Sequence, residues 1–221
     1  MADDLATRLA RLDACAVSDA LDQLGLPASV TGLGPRAAKG RFSGSIVTVK
    51  LAAGKPPEGT MPRHLCTTAI DLAAPGQVIV VEQRTGIECA GWGGILSNAA
   101  RRRDLAGVIV EGLARDVDEA AEIGFPVHAR GATARTARGR IYESATGEPV
   151  RVGDVTVANG DWVVADGSGV AFIPAARIAD VLAAAERIAA REAAMTKAVL
   201  AGHPVSMVMG GDYEHLLETS E

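Results

Sequence analysis

The chain has 221 residues, of which 48% are hydrophobic, 22% charged and only 3% aromatic, and its formal net charge is −5 at pH 7. This length allows one sizeable buried core without requiring a second domain, and the core must depend on Val, Ile, Leu and Ala. The negative charge argues against nucleic acid as a general partner, because binding to phosphates needs a broad basic face.

The cysteines and the N-terminal segment bear on the compartment. Cys15, Cys66 and Cys89 are odd in number and lack CxxC spacing, so we expect free thiols in a reducing compartment. The first 13 residues are charged and amphipathic, and no apolar run reaches the ~20 residues of a membrane span. We therefore expect a cytoplasmic protein that has no membrane partner.

The first third of the chain is predicted to contain three helices and one strand. In chain order, the pattern predicts two helices, a Gly- and Pro-rich loop, a strand, a turn-rich excursion and a helix, over residues 3–13, 16–24, 32–40, 43–50, 52–62 and 63–72. Ser18 or Asp19 is a candidate cap of the second helix, which Gly25 and Pro27 end. The excursion contains Lys55 but no GxxxxGK[ST], which excludes a nucleotide P-loop.

The central part alternates strands with helices. Strand, helix, strand, helix and strand are predicted over residues 77–82, 92–104, 107–110, 116–123 and 125–129. This alternation is typical of a βαβ-type layered core.

The last third changes character. An irregular region, three strands, an alanine-rich helix and a final turn are predicted over residues 130–148, 149–157, 162–165, 170–173, 174–200 and 212–217. The turns at residues 158–161 and 166–169 suit tight antiparallel connections. No repeat or linker interrupts the chain, so we expect a single domain over residues 1–221. The alanine-rich helix and the scarcity of aromatic residues favour apolar contacts between subunits, in a trimer or a hexamer.

Residues 91–122 carry the strongest functional signal. A glycine turn (Gly91, Gly93, Gly94) opens one helix, and Arg115-Asp116 leaves a buried strand to open the next. Helix N-termini favour anions, and ligands of α/β sheets collect outside the carboxyl ends of strands. One guanidinium beside one carboxylate at this place suits a small anion together with a hard cation.

Simpler interpretations of both motifs remain open. The glycine turn could serve backbone shape alone. Asp116 with Glu119 three residues later fits a capping box, in which both acids accept hydrogen bonds from backbone N–H groups, and spacing alone favours capping over metal binding. Both roles can coexist, because a capping carboxylate keeps a second oxygen and Mg²⁺ needs few protein carboxylates.

Other chemistries find no support in the motifs. The histidines have no HxxxH or HxH spacing, which argues against a zinc centre; they are His64, His128, His203 and His215. Cys89 has no neighbouring base and is expected to be a buried structural thiol. Ser168 lies in a predicted hairpin turn, and no GxSxG elbow is present.

The spacing Gly94, twenty residues, Arg115-Asp116, two residues and Glu119 resembles the G-x20-R-D-x2-E/D signature of RraA-like proteins. The stretches VSDAL, GFPVHARG and GDWVVADGSGV extend the resemblance over most of residues 15–175. The family joins metal-dependent 4-hydroxy-4-methyl-2-oxoglutarate aldolases to the regulator of ribonuclease activity A. The resemblance implies an α/β fold of the layered β/β/α swivelling type, assembled as a homotrimer or homohexamer with sites near subunit contacts.

The resemblance also implies roles for named residues. It places the substrate on Gly93, Gly94, Ile95, Leu96 and on Arg115, and a Mg²⁺ or Mn²⁺ ion on Asp116. Glu119 is a candidate to lie just outside the ligands of that ion. The implied reaction is cleavage of a C–C bond in a small 2-oxo acid to release pyruvate, with Arg115 and Asp116 as the catalytic pair.

One residue departs from the aldolase pattern. Aldolases of the family often carry an aspartate at the position of Gly94, where it would help to hold water on the metal. The wider family is also known for decarboxylation of oxaloacetate. The glycine weakens the case for aldol cleavage and affects this decarboxylation less. The alternative is a non-catalytic regulator that binds a ribonuclease complex.

Overall fold

The computed structural model describes residues 2–26, 29–59 and 63–210. Seven helices lie in these segments: α1 Ala2–Leu9, α2 Ala14–Gln23, α3 Thr67–Leu72, α4 Gly94–Arg102, α5 Val117–Glu122, α6 Ile178–Leu200 and α7 Val205–Val208. A 3₁₀ turn, Ala175–Arg177, leads into α6. Pro27, His215 and the final turn predicted over residues 212–217 lie outside the described residues.

Eleven strands of the described segments lie between α2 and α6. They are β1 Gly34–Ala37, β2 Phe42–Ala53, β3 Val78–Glu82, β4 Ala90–Trp92, β5 Gly107–Ala114, β6 Val127–Ala132, β7 Ile141–Thr146, β8 Val150–Val152, β9 Val155–Val157, β10 Trp162–Ala165 and β11 Val170–Ile173.

One mixed sheet organises the fold. Its order is β1-β6-β5-β3-β2-β10-β11, with β4 also paired to β5 and β7 also paired to β2. The pairs β2–β3, β3–β5 and β5–β6 are parallel, as expected for strands joined by helical crossovers. The β1, β7, β10 and β11 strands pair antiparallel. The alternation of strands and helices predicted from the sequence is therefore confirmed.

The core lies on both faces of this sheet. One face of β2, β3, β5 and β6 packs against α3, α4 and α5. The opposite face shares a cluster with the inner side chains of the β10–β11 hairpin and the β8–β9 pair. The outer face of β10–β11 packs against α1, α2 and α6. The sheet thus curls over itself, which gives two β layers flanked by helices.

Several predicted boundaries are wrong for identifiable reasons. Asp13, not Ser18 or Asp19, caps α2 by accepting a hydrogen bond from the Ala16 N–H. Residues 130–148 are not wholly irregular, because β7 pairs antiparallel with the extended end of β2. Residues 149–157 form two strands, β8 and β9, which turn at Gly153, where φ is +56°. Residues 158–161 therefore link β9 to a strand in another sheet and do not form a hairpin.

Smaller differences concern the ends of elements. Residues 34–37 form a strand that the Gly- and Pro-rich composition had hidden. Trp92 ends a strand and does not begin a helix. The third helix begins only at Thr67, after Cys66 in a left-handed conformation. Within the described residues no helix is long and apolar enough to cross a membrane; the cytoplasmic location stays a prediction.

Candidate functional site

The glycine turn and the Arg-Asp pair meet because β4 and β5 are parallel neighbours. Ala90 is paired with Leu113 and Trp92 with Ala114, so both strands end at the same edge of the sheet. The Arg115 N–H donates to the Trp92 carbonyl at 3.0 Å. The first turn of α4 is therefore adjacent to Arg115 and Asp116, as the sequence predicted.

Asp116 connects the two motifs through one oxygen. Its Oδ2 accepts hydrogen bonds from the Gly94 N–H at 3.0 Å and from Nε of Arg115 at 3.1 Å. It makes no side-chain cap bond to α5, so the predicted capping box is wrong. The carboxylate instead caps the neighbouring helix α4. Its Oδ1 accepts no hydrogen bond within the described segments, and the side chain is 36% exposed.

The backbone of Asp116 is in the left-handed region, with φ +56° and ψ +36°. This conformation turns the chain sharply between β5 and α5. Aspartate and asparagine tolerate it better than other non-glycine residues. The backbone conformation therefore limits which residues this position accepts, in addition to any requirement for a negative charge.

Asn98 and Glu119 lie on the opposite side of Gly94. Nδ2 of Asn98 donates to the Gly94 carbonyl at 2.9 Å and to Oε1 of Glu119 at 2.7 Å. A Cβ atom on Gly94 would collide with Oε2 of Glu119 and lie 3.1 Å from Cβ of Asp116. Glycine at this position thus leaves room for the Glu119 carboxylate.

The motifs line one open cavity of about 940 Å³. Residues 93–96 contribute to its wall together with Arg115 and Asp116. The size lies at the upper end of the about 300–1,000 Å³ usual for small-molecule pockets. The structure therefore brings together all the predicted substrate-binding residues and the predicted metal ligand.

The remaining wall of the cavity was not predicted from the sequence. Most of it comes from residues 63–65, from 136–139 and from β7. Glu143 of β7 holds the first of these segments: its Oε2 accepts from the Cys66 N–H at 2.6 Å, and its Oε1 accepts from the Thr146 hydroxyl at 2.6 Å. No local motif predicts the contact between Glu143 and Cys66, since these positions are 77 residues apart.

Gln83 fixes the segment that leads into the glycine turn. This buried side chain donates through Nε2 to the carbonyls of Ile87, at 3.0 Å, and Cys89, at 2.9 Å. Its Oε1 accepts from the Leu113 N–H at 2.9 Å. The amide thereby fixes the segment before β4 against β5, which sets the position of the glycine turn.

The donor set suits a hard cation that keeps most of its own ligands. Among the described residues no group of three or more His, Cys, Asp or Glu side chains could hold a metal ion. Asp116 offers one partly exposed carboxylate oxygen to a cavity with room for water and substrate. Mg²⁺ is commonly bound through one or two carboxylates plus waters and substrate oxygens, so the residues fit it.

Among the other titratable residues singled out in the sequence, His64 lines the cavity, whereas His128, Cys66 and Cys89 are buried in the fold. His128 is buried, and its Nε2 donates to the Asp166 carbonyl at 2.9 Å. Burial lowers the pKa of this imidazole below its ordinary value of 6.5. Burial likewise raises the pKa values of the Cys66 and Cys89 thiols. Cys89 is buried, as predicted for a structural thiol.

Comparisons with known proteins bear on the family of the chain. Residues 14–172 match the family model described as RraA-like: Aldolase/RraA. A putative 4-hydroxy-4-methyl-2-oxoglutarate aldolase of Halalkalibacterium halodurans is 28% identical over 200 residues, which cover 89% of each chain. A protein of the same description from Burkholderia mallei is 35% identical over 132 residues, 59% of this chain and 73% of the relative. Protein DlpA of Legionella pneumophila is 28% identical over 81% of this chain, which spans only 29% of DlpA.

Solved structures share the fold. An uncharacterised protein from Pseudomonas syringae pv. tomato aligns over 95% of this chain and 98% of its own, with a TM-score of 0.84 and 26% identity. Streptomyces coelicolor RraAS2, described as an unusual member of the RNase ES inhibitor RraA protein family, aligns over 83% and 92%, with a TM-score of 0.74 and 22% identity. The layered α/β fold predicted from the sequence is confirmed.

Proposed function

Since the chain belongs to the RraA-like family, we propose that it is a divalent-metal-dependent lyase that cleaves a C–C bond of a 2-oxo acid to release pyruvate. Decarboxylation of oxaloacetate takes up one proton and gives pyruvate and CO₂. Cleavage of 4-hydroxy-4-methyl-2-oxoglutarate gives two molecules of pyruvate. The observation that carries the proposal is the position of Asp116 Oδ1, which accepts no hydrogen bond from the described residues. It lies beside the first turn of α4, in a cavity large enough for substrate.

The first turn of α4 would bind the substrate carboxylate. The Gly94 N–H is already donated to Asp116. The N–H groups of Ile95 and Leu96 follow it, and they have no carbonyl one turn earlier in the helix to accept them. These two donors and the positive end of the helix dipole therefore favour a carboxylate at this place.

Arg115 would stabilise negative charge that develops on the substrate. Its Nε is held by Asp116 at 3.1 Å, which orients the planar group. The two terminal nitrogens make no hydrogen bond to any residue of the described ranges, and the residue lines the cavity. A guanidinium fixed in this way offers a fork of N–H groups to a carboxylate or an enolate oxygen.

Asp116 would hold the Mg²⁺ or Mn²⁺ ion through Oδ1, and the ion, when bound, supplies Lewis-acid stabilisation of enolate charge. Retro-aldol cleavage and β-decarboxylation both leave the enolate of pyruvate, so one arrangement of residues serves either reaction. Glu119 approaches the site from behind Gly94 and orients Asn98. Its contribution would be to position the glycine turn.

Gly94 favours a second candidate function. Glu119 occupies the space that the aspartate of the aldolases would need, so a non-catalytic regulator of a ribonuclease complex is the alternative. Pyruvate release from oxaloacetate separates the two, measured with and without protein at matched Mg²⁺ or Mn²⁺ concentrations. A protein-dependent excess over the metal-only rate supports the lyase, and its absence favours the regulator.

Two exposed apolar residues of the cavity favour its coverage by another subunit, as in the homotrimer or homohexamer that we expect. Ile95 and Leu72 line the cavity yet are 83% and 72% exposed, and apolar side chains at such a place are often covered by another subunit. Light scattering at working concentration tests the assembly. A monomer that still releases pyruvate would remove the need for a site shared between subunits.

A further inference from the structure

The cavity carries a positive charge that the proposed reaction does not use. Resting on the lyase function above, we propose that Arg138 binds the second carboxylate of the substrate, so that the protein selects dicarboxylic over monocarboxylic 2-oxo acids. In 4-hydroxy-4-methyl-2-oxoglutarate this carboxylate is attached to C4, on the other side of the breaking C3–C4 bond from the 2-oxo group. Arg138 would thus determine specificity on that side of the reacting bond.

The loop that carries Arg138 is fixed to the sheet at both ends. The Ala90 N–H donates to the Arg135 carbonyl at 3.0 Å, and the Gly54 N–H donates to the Arg140 carbonyl at 2.7 Å. Inside the loop, the Thr136 hydroxyl accepts from the Arg138 N–H at 3.2 Å. The backbone of Arg138 is therefore held on the wall of the cavity by contacts that do not involve its side chain.

The guanidinium of Arg138 differs from its neighbours in having no partner in the described part of the chain. Arg135 lies 3.9 Å from the Glu88 carboxylate, and Arg140 donates to the Thr136 carbonyl at 3.0 Å. Arg138 lines the cavity and is exposed. A long cationic side chain on a fixed backbone, facing a cavity, is available for an anionic ligand.

The charges around the cavity also favour a dianion. Three arginines line it, namely Arg63, Arg115 and Arg138, against two carboxylates, Asp116 and Glu143. Both oxygens of Glu143 are engaged by the chain itself. The lining thus has a formal surplus of one positive charge, whereas the whole chain has a net charge of −5.

The first carboxylate of a substrate is accounted for without Arg138. Arg115 and the N–H groups of α4 lie together at the motif end of the cavity. The single carboxylate of a monoanionic 2-oxo acid would be bound there. The unpaired guanidinium fits a second carboxylate, which it can bind through two parallel N–H···O bonds.

Steady-state kinetics of Arg138→Gln test the inference, with Arg135→Gln as the matched control from the same loop. The dianion is 4-hydroxy-4-methyl-2-oxoglutarate, which gives two molecules of pyruvate, and the monoanion is 4-hydroxy-2-oxopentanoate, which gives pyruvate and acetaldehyde by the same retro-aldol cleavage. We expect Arg138→Gln to raise KM for 4-hydroxy-4-methyl-2-oxoglutarate about tenfold, the effect of losing one charged contact, with kcat within about twofold. KM for the monoanion should not change, and Arg135→Gln should resemble the wild type with both.

Binding measured without turnover separates this inference from the proposed function. Isothermal titration calorimetry in Mg²⁺ compares 2-oxoglutarate, a dianion, with 2-oxobutanoate, a monoanion. Weaker binding of 2-oxoglutarate alone in Arg138→Gln supports the inference even if no variant releases pyruvate, a result that would reject only the lyase. Equal effects of Arg138→Gln on both anions, or equal effects of the two variants, would overturn the inference and leave the lyase standing.

Discussion

Replacement of Asp116 by asparagine separates the role of its charge from its role in the fold. The substitution keeps an oxygen that can accept from the Gly94 N–H, and asparagine tolerates the left-handed backbone found here. It turns two charge-assisted hydrogen bonds into neutral ones, a difference of about 1 kcal/mol each. Because the side chain is 36% exposed, solvent reduces this, and we expect a total loss of about 1 kcal/mol.

For a chain of this length, a loss of about 1 kcal/mol lowers Tm by about 2–4 °C. Activity should fall much further, because a neutral amide lacks the charge that a hard cation needs. We expect loss of most metal-dependent pyruvate release, with partial recovery at high Mg²⁺ or Mn²⁺. Asp118→Asn, in the first turn of the same helix and exposed, is the control and should leave both quantities unchanged.

The assay is a metal titration of pyruvate release beside thermal unfolding of the same samples. Arg115→Lys should also reduce activity, since lysine lacks the fork, but added metal should not restore it. Full activity of Asp116→Asn at low metal concentration would refute the assignment of Asp116 as metal ligand. A Tm loss far above the expected few degrees would show that its hydrogen bonds stabilise the fold more than its partly exposed position implies.

Two further predictions concern stability. Gly94→Ala should destabilise the protein by about 1 kcal/mol in urea unfolding, because its Cβ displaces the Glu119 carboxylate, and by clearly less in a Glu119→Ala background; equal losses in both backgrounds would contradict the contact. Because burial lowers the pKa of His128, the unfolded chain takes up its proton first as pH falls. The stability that this residue contributes is thus present above about pH 6.5 and lost towards its lower folded pKa, so Tm should depend less on pH from 7 to 5 in His128→Gln, and an unchanged slope would contradict this.

The parts of the fold that follow from local pattern could be predicted. The apolar run of β3 is buried on both faces, and β10 and β11 have the predicted bounds. β1 and β7 could not be predicted, since their partners are distant in sequence and neither segment has an apolar run. Asp13 was missed as a cap because Ser18 and Asp19 are equally suitable residue types, and only the packing of α2 decides between them.

The candidate site divides in the same way. Gly94, Arg115 and Asp116 could be chosen because strand ends and helix starts mark them in the sequence. The position of Glu119 beside Gly94 could not be predicted in this way, since the capping-box spacing placed that carboxylate at the start of α5. Arg138 and Glu143 reach the cavity only because β7 folds back along β2, a pairing that no local signal encodes.

The buried amide of Gln83 has a consequence for how the cavity responds to its surroundings. Three of its hydrogen bonds hold the segment before β4 against β5, and a neutral amide neither titrates nor attracts counterions. The charged side chains that line the cavity will bind anions more weakly as ionic strength rises. The affinity for anions can therefore vary with salt while the shape of the segment held by Gln83 stays constant. Crystals grown at high salt should accordingly show the glycine turn in the conformation that binds a ligand in dilute buffer.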